Sequence, residues 1–153
     1  MSGIKKGQTD IFIYHISKNT FENVTKDIYD DYEPIFIHND RDILFSSNRV
    51  SDTLHISPNW QDNLPLRFGR KKDLFLYSAS TKSKVMKRVT NTLDTEESNP
   101  IRLSDKYISY LSDESGINNR VLIQFDSVIS HVDTIAHYKF QTISTPMNLS
   151  FDN

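Results

Sequence analysis

Short runs of β-branched and aromatic residues, separated by polar turns, dominate the pattern of the chain. Residues 10–16 read DIFIYHI and are followed by the turn-like sequence SKNT, a combination that is typical of a strand ending in a turn. No stretch of twelve residues keeps apolar side chains at the i, i+3, i+4, i+7 spacing of an amphipathic helix. The pattern predicts strands at residues 10–16, 35–37, 43–47, 73–77, 107–111 and 120–125. The predicted fold class is therefore all-β.

The predicted strands recur as a repeat. The sequence DIFIY at residues 10–14 returns as DLFLY at residues 73–77, and the Pro-Ile pair at 34–35 returns at 100–101. Subtracting the residue numbers places these copies 63 and 66 residues apart, which is a nearly constant period. A third, fainter copy begins at residue 121. A single sheet leaves its two faces exposed to solvent. Repeated sheets can cover these faces by stacking radially, as the blades of a β-propeller do.

The repeat predicts a partial β-propeller built from four-stranded antiparallel blades, with about two and a half blades in the chain. Closing a ring takes roughly four to eight blades. We therefore expect either the rest of a longer propeller or self-association to cover the open blade faces. The predicted divisions are 1–9 as a tail or vector-derived remnant, 10–33 as the outer half of a blade, 34–99 as a full blade with an insertion at 50–72, 100–145 as a full blade, and 146–153 as a tail.

Each full blade has a predicted order of strands from the inside outward. The order is 35–37, 43–47, 73–77 and 87–90 in one blade, and 101–103, 107–112, 120–125 and 138–142 in the next. Phe12 and Tyr14, like Phe75 and Tyr77, alternate along their strands and are expected to pack one face of each sheet against its neighbour.

The first copy of the repeat carries an extended motif. Its parts are DIFIY at residues 10–14, VT at 24–25, DDYEPIF at 30–36 and DILFSSNR at 42–49. This motif resembles the β-propeller repeat of TolB-like proteins, and the abundance of Lys, Asn and Tyr is similar to the periplasmic TolB-like proteins of Bacteroidetes. The second copy departs from the pattern, because Glu114 follows Asp113 where the repeat ends in arginine.

The resemblance implies a non-catalytic platform for protein–protein interaction in the bacterial cell envelope, located in the periplasm, with a protein or peptidoglycan-associated partner. An alternative is the gating propeller of a prolyl-oligopeptidase-like serine peptidase, which a G-x-S-x-G elbow beyond residue 153 of a longer chain would indicate. A third interpretation is a sugar-binding or sugar-processing propeller, which requires paired carboxylates in an aromatic-lined channel.

Composition and charge narrow the function classes. With 18 basic and 20 acidic residues the formal charge is −2, so nothing favours a nucleic-acid partner. The chain has no cysteine, which excludes disulfides, thiol catalysis and iron–sulfur clusters. No apolar run approaches the roughly 20 residues of a membrane-spanning helix, and the first residues contain no signal-peptide core.

Two acidic loops, each ending at a proline, form the predicted partner-binding site. Their carboxylates belong to Asp30, Asp31, Glu33, Glu96 and Glu97. If the sheets stack, both loops lie on one rim and present a negative face to a basic partner or to a hard cation such as calcium. The alternative is that these residues stabilise turns. No catalytic residue, metal site or cofactor is predicted, because no calcium-loop, paired-histidine, G-x-S-x-G or phosphate-loop spacing occurs.

The insertion at residues 50–72 holds the single tryptophan, Trp60, and a basic end that includes Arg67. Exposed Trp and Arg are enriched at binding hot spots, so this loop is predicted to be a second recognition element. The alternative is a flap that packs Trp60 over an open sheet edge.

Overall fold

The computed structural model describes residues 1–5, 7–55, 71–92, 94–132 and 136–146. It confirms the all-β prediction. The strands are β1 (Ser2–Lys5), β2 (Gln8–His15), β3 (Thr20–Asn23), β4 (Asp31–Ile37), β5 (Asp42–Ser47), β6 (Asp73–Ser78), β7 (Lys87–Arg88), β8 (Glu97–Arg102), β9 (Tyr107–Ser112), β10 (Asn119–Val132) and β11 (Ala136–Pro146). A short 3₁₀ turn at Ile16–Lys18 joins β2 to β3.

The strands form three antiparallel sheets, and each sheet follows the order of the chain. Sheet 1 is β1-β2-β3, sheet 2 is β4-β5-β6-β7, and sheet 3 is β8-β9-β10-β11. The strand order predicted for residues 35–90 is therefore confirmed in sheet 2, and the order predicted for residues 101–142 is confirmed in sheet 3. No sheet closes on itself within the described part of the chain.

Sheet 2 lies between the other two and is buried on both faces. Alternate side chains of β6 point to opposite sides, since Phe75 belongs to the core shared with Ile11 of sheet 1 and Leu74 belongs to the core shared with Ile123 of sheet 3. Phe75 and Leu74 are both fully buried. Two hydrophobic cores therefore hold a stack of three sheets.

The repeat seen in the sequence is also present in the hydrogen bonds between strands. Thr25 Oγ1 accepts from Ile11 N at 3.0 Å, and at the equivalent place Thr90 Oγ1 accepts from Leu74 N at 2.8 Å. The donors are 63 residues apart and the acceptors 65 apart, which matches the sequence period.

A second pair of contacts recurs at the start of β4 and β8. Asn48 Oδ1 accepts from Asp30 N at 2.9 Å, and Asp113 Oδ1 accepts from Glu96 N at 2.6 Å. The side chains of these two acids in turn accept bonds from backbone N–H groups of residues 9 and 72. Residues 9–48 and 72–113 thus use the same set of contacts to join one sheet to the next.

Backbone irregularities recur with the same period. Glu33 and Asn99, which each precede a proline, have φ of 53° and 51°, and the register of β4 and of β8 shifts at these positions. The turn between β4 and β5 contains three consecutive left-handed residues, His38, Asn39 and Asp40. Asn and Asp tolerate this conformation better than most residues do, so the hairpin forms without the usual glycine.

The ends of the chain differ from the predicted tails. Residues 1–9 were expected to be a tail, but Ser2–Lys5 form β1, which pairs with β2, and β2 itself begins at Gln8. At the other end β11 continues to Pro146, one residue into the second predicted tail. Backbone pairing with a neighbouring strand orders both segments, and a search for apolar runs does not detect pairing in polar sequence.

Two sheet faces at the ends of the stack have no covering layer in the described structure. The sheet 1 end face contains Phe12, Tyr14 and Phe21, and the sheet 3 end face contains Ile101, Tyr107, Leu122 and Ile143, as strand alternation and register place them. Phe75 and Tyr77 pack between sheets as expected, but Tyr14 is 42% exposed because sheet 1 has no neighbour on that side.

Candidate functional site

The first acidic loop closes around a buried ion cluster. Arg49 Nη2 donates to both carboxylate oxygens of Asp31, at 2.8 and 2.7 Å, and Arg49 Nη1 donates to Asp27 at 3.3 Å. The guanidinium also lies over the rings of Tyr29 and Phe45, at 5.3 and 5.7 Å from their centroids. Arg49 and Asp31 are both fully buried. Their charges therefore face each other and the core, and a partner cannot reach the Asp31 carboxylate.

Burial and ion pairing oppose each other in this cluster. Burial raises the pKa of Asp31 to about 6, although Arg49 acts in the opposite direction. Burial also raises the pKa of Asp27. Burial would lower the pKa of Arg49, but the two carboxylates outweigh it, so the pKa of Arg49 is raised. The cluster carries its charges at neutral pH and fixes the loop before β4.

Glu97 occupies the position in sheet 3 that Asp31 occupies in sheet 2. Each pairs with the last serine of the neighbouring strand, Ser112 or Ser47. Glu97 has no arginine beside it, because Glu114 stands where the first copy has Arg49 and is exposed. The carboxylate instead accepts hydrogen bonds from the hydroxyls of Thr90 and Thr92. Glu97 is only 1% exposed, and burial raises its pKa to about 7.

The other three acids of the predicted site are also engaged. Asp30, half-buried, accepts from Thr9 N at 2.9 Å. Glu33 is exposed, but its carboxylate accepts from Asn99 N at 2.6 Å and so connects β4 to β8. Glu96 is half-buried and forms an ion pair with Lys72 at 2.6 Å. The acidic loops therefore stabilise turns and sheet junctions, while Asp30, Glu33 and Glu96 keep part of their surface accessible.

Sequence reasoning missed the residues that bind the buried carboxylates of the two loops. Arg49 was visible as the last residue of the repeat motif, and the two threonines lie in the polar stretch before the second acidic loop. The motif alone does not reveal that its arginine folds back onto the acidic loop, because the two segments are 18 residues apart.

A cleft of about 370 Å³ opens at the opposite end of sheets 2 and 3. Its lining includes Arg41, Lys87, Leu76 and Phe125. His38 also lines it, donating from Nδ1 to Asp42 at 2.8 Å with its ring edge against Phe125. Burial lowers the pKa of Lys87. Two cationic groups, the Asp42 carboxylate and apolar side chains therefore line this cleft together.

Trp60 and Arg67, which the sequence predicts as a second recognition element, fall outside the described residues. No group of three or more His, Asp or Glu side chains is arranged to hold a metal ion in the described ranges. In the same ranges no helix has the length and apolar character of a membrane span.

Comparison of the chain with protein-family models, curated proteins and solved structures finds no match. The resemblance to the TolB-like repeat therefore stays a prediction, carried by the motif and its period.

Proposed function

We propose that the three sheets are consecutive blades of an incomplete, TolB-like β-propeller and that the chain is a non-catalytic platform for protein–protein interaction. The observation that carries this proposal is the recurrence of the sheet junction. Asp30 at the start of sheet 2 accepts from Thr9 N of sheet 1, and Glu96 at the start of sheet 3 accepts from Lys72 N at the edge of sheet 2. Sheets joined by a constant junction and stacked face to face are typical of a radial array.

A rigid stack of sheets suits a binding platform better than a protein whose function needs a change of shape. Sheet 2 is buried on both faces, and the junctions are held by buried polar groups as well as by two hydrophobic cores. Rigid sheets of this kind hold their connecting loops in fixed positions, where they can recognise a partner at little cost in conformational entropy.

The rim that carries the acidic loops is the surface we propose for the partner. Asp30, Glu33 and Glu96 keep accessible surface there, whereas Asp31 and Glu97 act from inside by holding the loops in place. An acidic rim favours a basic partner through electrostatic complementarity. Trp60 and Arg67 of the insertion are proposed as a second contact.

The location of this activity is proposed on the resemblance alone. TolB-like repeats imply the periplasm and a protein or peptidoglycan-associated partner. The gating propeller of a prolyl-oligopeptidase-like peptidase remains the alternative, and a G-x-S-x-G elbow encoded after residue 153 of the parent gene would favour it.

A capture experiment tests the platform. The chain is immobilised and incubated with a bacterial envelope extract at low salt, and bound proteins are identified by mass spectrometry. The double variant Glu33→Gln, Glu96→Gln should lose a basic partner that the wild-type chain captures. Asp105→Asn, an exposed acid in the turn between β8 and β9, serves as the matched control and should retain that partner. Equal capture by all three chains would contradict a role for the acidic rim.

A further inference from the structure

We propose that the sheet 1 end face and the sheet 3 end face bind each other in a head-to-tail homodimer, so that two copies of the chain close one ring of six sheets. This inference rests on the proposed propeller arrangement and names the partner of its open faces.

Sheet 2 supplies the template for both contacts. Its Phe75 and Tyr77 face sheet 1, and the equivalent residues of sheet 1 are Phe12 and Tyr14 on the sheet 1 end face. In sheet 2 this kind of face packs on the sheet that comes before it. The sheet 1 end face is therefore expected to pack in the same way on another sheet.

The sheet 3 end face is the complementary kind of surface. Phe45 pairs with Phe75 in sheet 2, and Tyr110 pairs with Val121 in sheet 3, so Leu122 corresponds to the next residue of β6, Leu76. Leu76 packs in the core between sheets 2 and 3. Leu122 is therefore placed to pack against a following sheet in the same way.

Exposed apolar side chains concentrate on these two faces. Twelve large apolar side chains are exposed in the described part of the chain, and five of them lie on the end faces. These five are Tyr14, Phe21, Ile101, Tyr107 and Ile143, and the exposed Leu103 follows β8 beside Tyr107. Contiguous apolar patches on a soluble protein mark surfaces that are covered in its working state.

The two end faces are complementary kinds of surface on the same chain, so a second copy can cover both of them. The described residues form three sheets, and the smallest propellers use roughly four. Two copies give six sheets, inside the usual range of about four to eight, whereas three copies give nine. Because the two faces differ, their contact is head-to-tail, and such a contact stays finite only when the ring closes.

Analytical ultracentrifugation over a range of concentrations, checked by native mass spectrometry, tests the dimer. The wild-type chain should have twice the mass of one chain. Phe21→Glu on the sheet 1 end face and Ile143→Glu on the sheet 3 end face should each halve that mass. Val85→Glu, at a residue that is 64% exposed and lies outside both faces, should leave the dimer intact.

Mixing the two interface variants separates the head-to-tail contact from a symmetric one. Each variant keeps one intact face, so the mixture should recover a dimer through a single contact. Circular dichroism and urea unfolding must show that both variants fold. A folded wild-type monomer, an open polymer, or a dimer lost in only one of the two variants would overturn the proposal. Capture by the acidic rim is measured separately, so a monomer that still binds its partner would leave the proposed function standing.

Discussion

Asp31 and Glu97 show how the same position in a repeat tolerates burial of a carboxylate in two ways. Asp31 is compensated by the Arg49 guanidinium, through two charge-assisted hydrogen bonds. Glu97 is stabilised by the Thr90 and Thr92 hydroxyls and by the Leu74 backbone, and no cationic side chain among the described residues pairs with it. Removing one partner of a buried ion pair leaves an uncompensated charge, whereas removing an unpaired buried charge relieves a cost. Replacing the acid by its amide should therefore lower the free energy of unfolding at Asp31 and raise it at Glu97.

Asp31→Asn should lower the free energy of unfolding by about 3–5 kcal/mol, because it leaves Arg49 buried and short of counter-charge. Urea denaturation measures this change. Asp30→Asn is the matched control, since its half-buried side chain accepts a backbone hydrogen bond that an amide oxygen can also accept, and it should cost under about 1 kcal/mol. Similar losses in the two variants would argue against the buried ion cluster.

Glu97→Gln should remove a dependence of stability on pH. The pKa of Glu97 is raised by burial from 4.5 to about 7, so the folded state binds this proton more readily than the unfolded state. The stability that this group contributes is full below about pH 4.5 and is lost as pH rises through about 7. At pH 8 the free energy of unfolding of the Glu97→Gln variant should therefore be higher than that of the wild-type chain by an amount on the order of 3 kcal/mol.

Melting temperatures of both chains between pH 4 and pH 8 measure this difference. The neighbouring Glu96→Gln is the control, because that half-buried acid pairs with Lys72 outside the core, so its loss should not give the gain in stability at pH 8 that Glu97→Gln gives. If the melting temperature of the Glu97→Gln variant depended on pH in the same way as that of the wild-type chain, Glu97 would have to be solvated in the folded chain.

At the scale of single elements, the alternation of side chains decides which strand faces are buried. The strands DIFIY and DLFLY have the same pattern, yet Tyr77 is 6% exposed while the equivalent Tyr14 is 42% exposed. The difference comes from position in the stack, since β6 has a sheet on each side and β2 has a sheet on one side.

Phe75→Ala should cost about 3–5 kcal/mol of folding free energy, because it opens a cavity between sheets 1 and 2. Its ring stacks on Phe45, with centroids 6.3 Å apart. Phe36 lies on the same face of sheet 2 but is 44% exposed, so Phe36→Ala should cost less than half as much. Chemical denaturation of the two variants compares them, and equal losses would contradict the assigned packing of sheet 2.

The same logic explains what the sequence could and could not predict. Alternation and the constant period were sufficient for the strand order of sheets 2 and 3, because both are local or repeating signals. β1 was missed because Ser2–Lys5 carries little apolar pattern and is ordered by pairing with β2. The two acidic loops could be identified in the sequence, but the inward orientation of the Asp31 carboxylate depends on its contact with Arg49, which lies 18 residues away.

At the scale of the whole molecule, three stacked sheets differ in how completely they are buried. Among the described residues, sheet 2 is covered on both faces, whereas no layer covers the end faces of sheets 1 and 3. Amide hydrogens exchange through local opening, whose free energy rises with the burial that opening disrupts. The chain therefore offers an internal comparison between β2 and β6, which have nearly the same sequence and the same central position in their sheets.

Native-state hydrogen exchange, followed by NMR on a dilute sample in which the chain is monomeric, should show β6 amides exchanging at least about tenfold more slowly than those of β2. Both strands have the same sequence pattern and a hydrogen-bonded neighbour on each side, so we attribute the difference to the second sheet packed on β6. Raising the protein concentration should slow exchange in β2 and leave β6 nearly unchanged, because assembly covers the sheet 1 end face and adds nothing to sheet 2. Equal protection of the two strands in the dilute monomer would mean that stability does not follow the stacking of sheets. If the exchange rates of the β2 amides did not change with protein concentration, a second copy would not cover the sheet 1 end face.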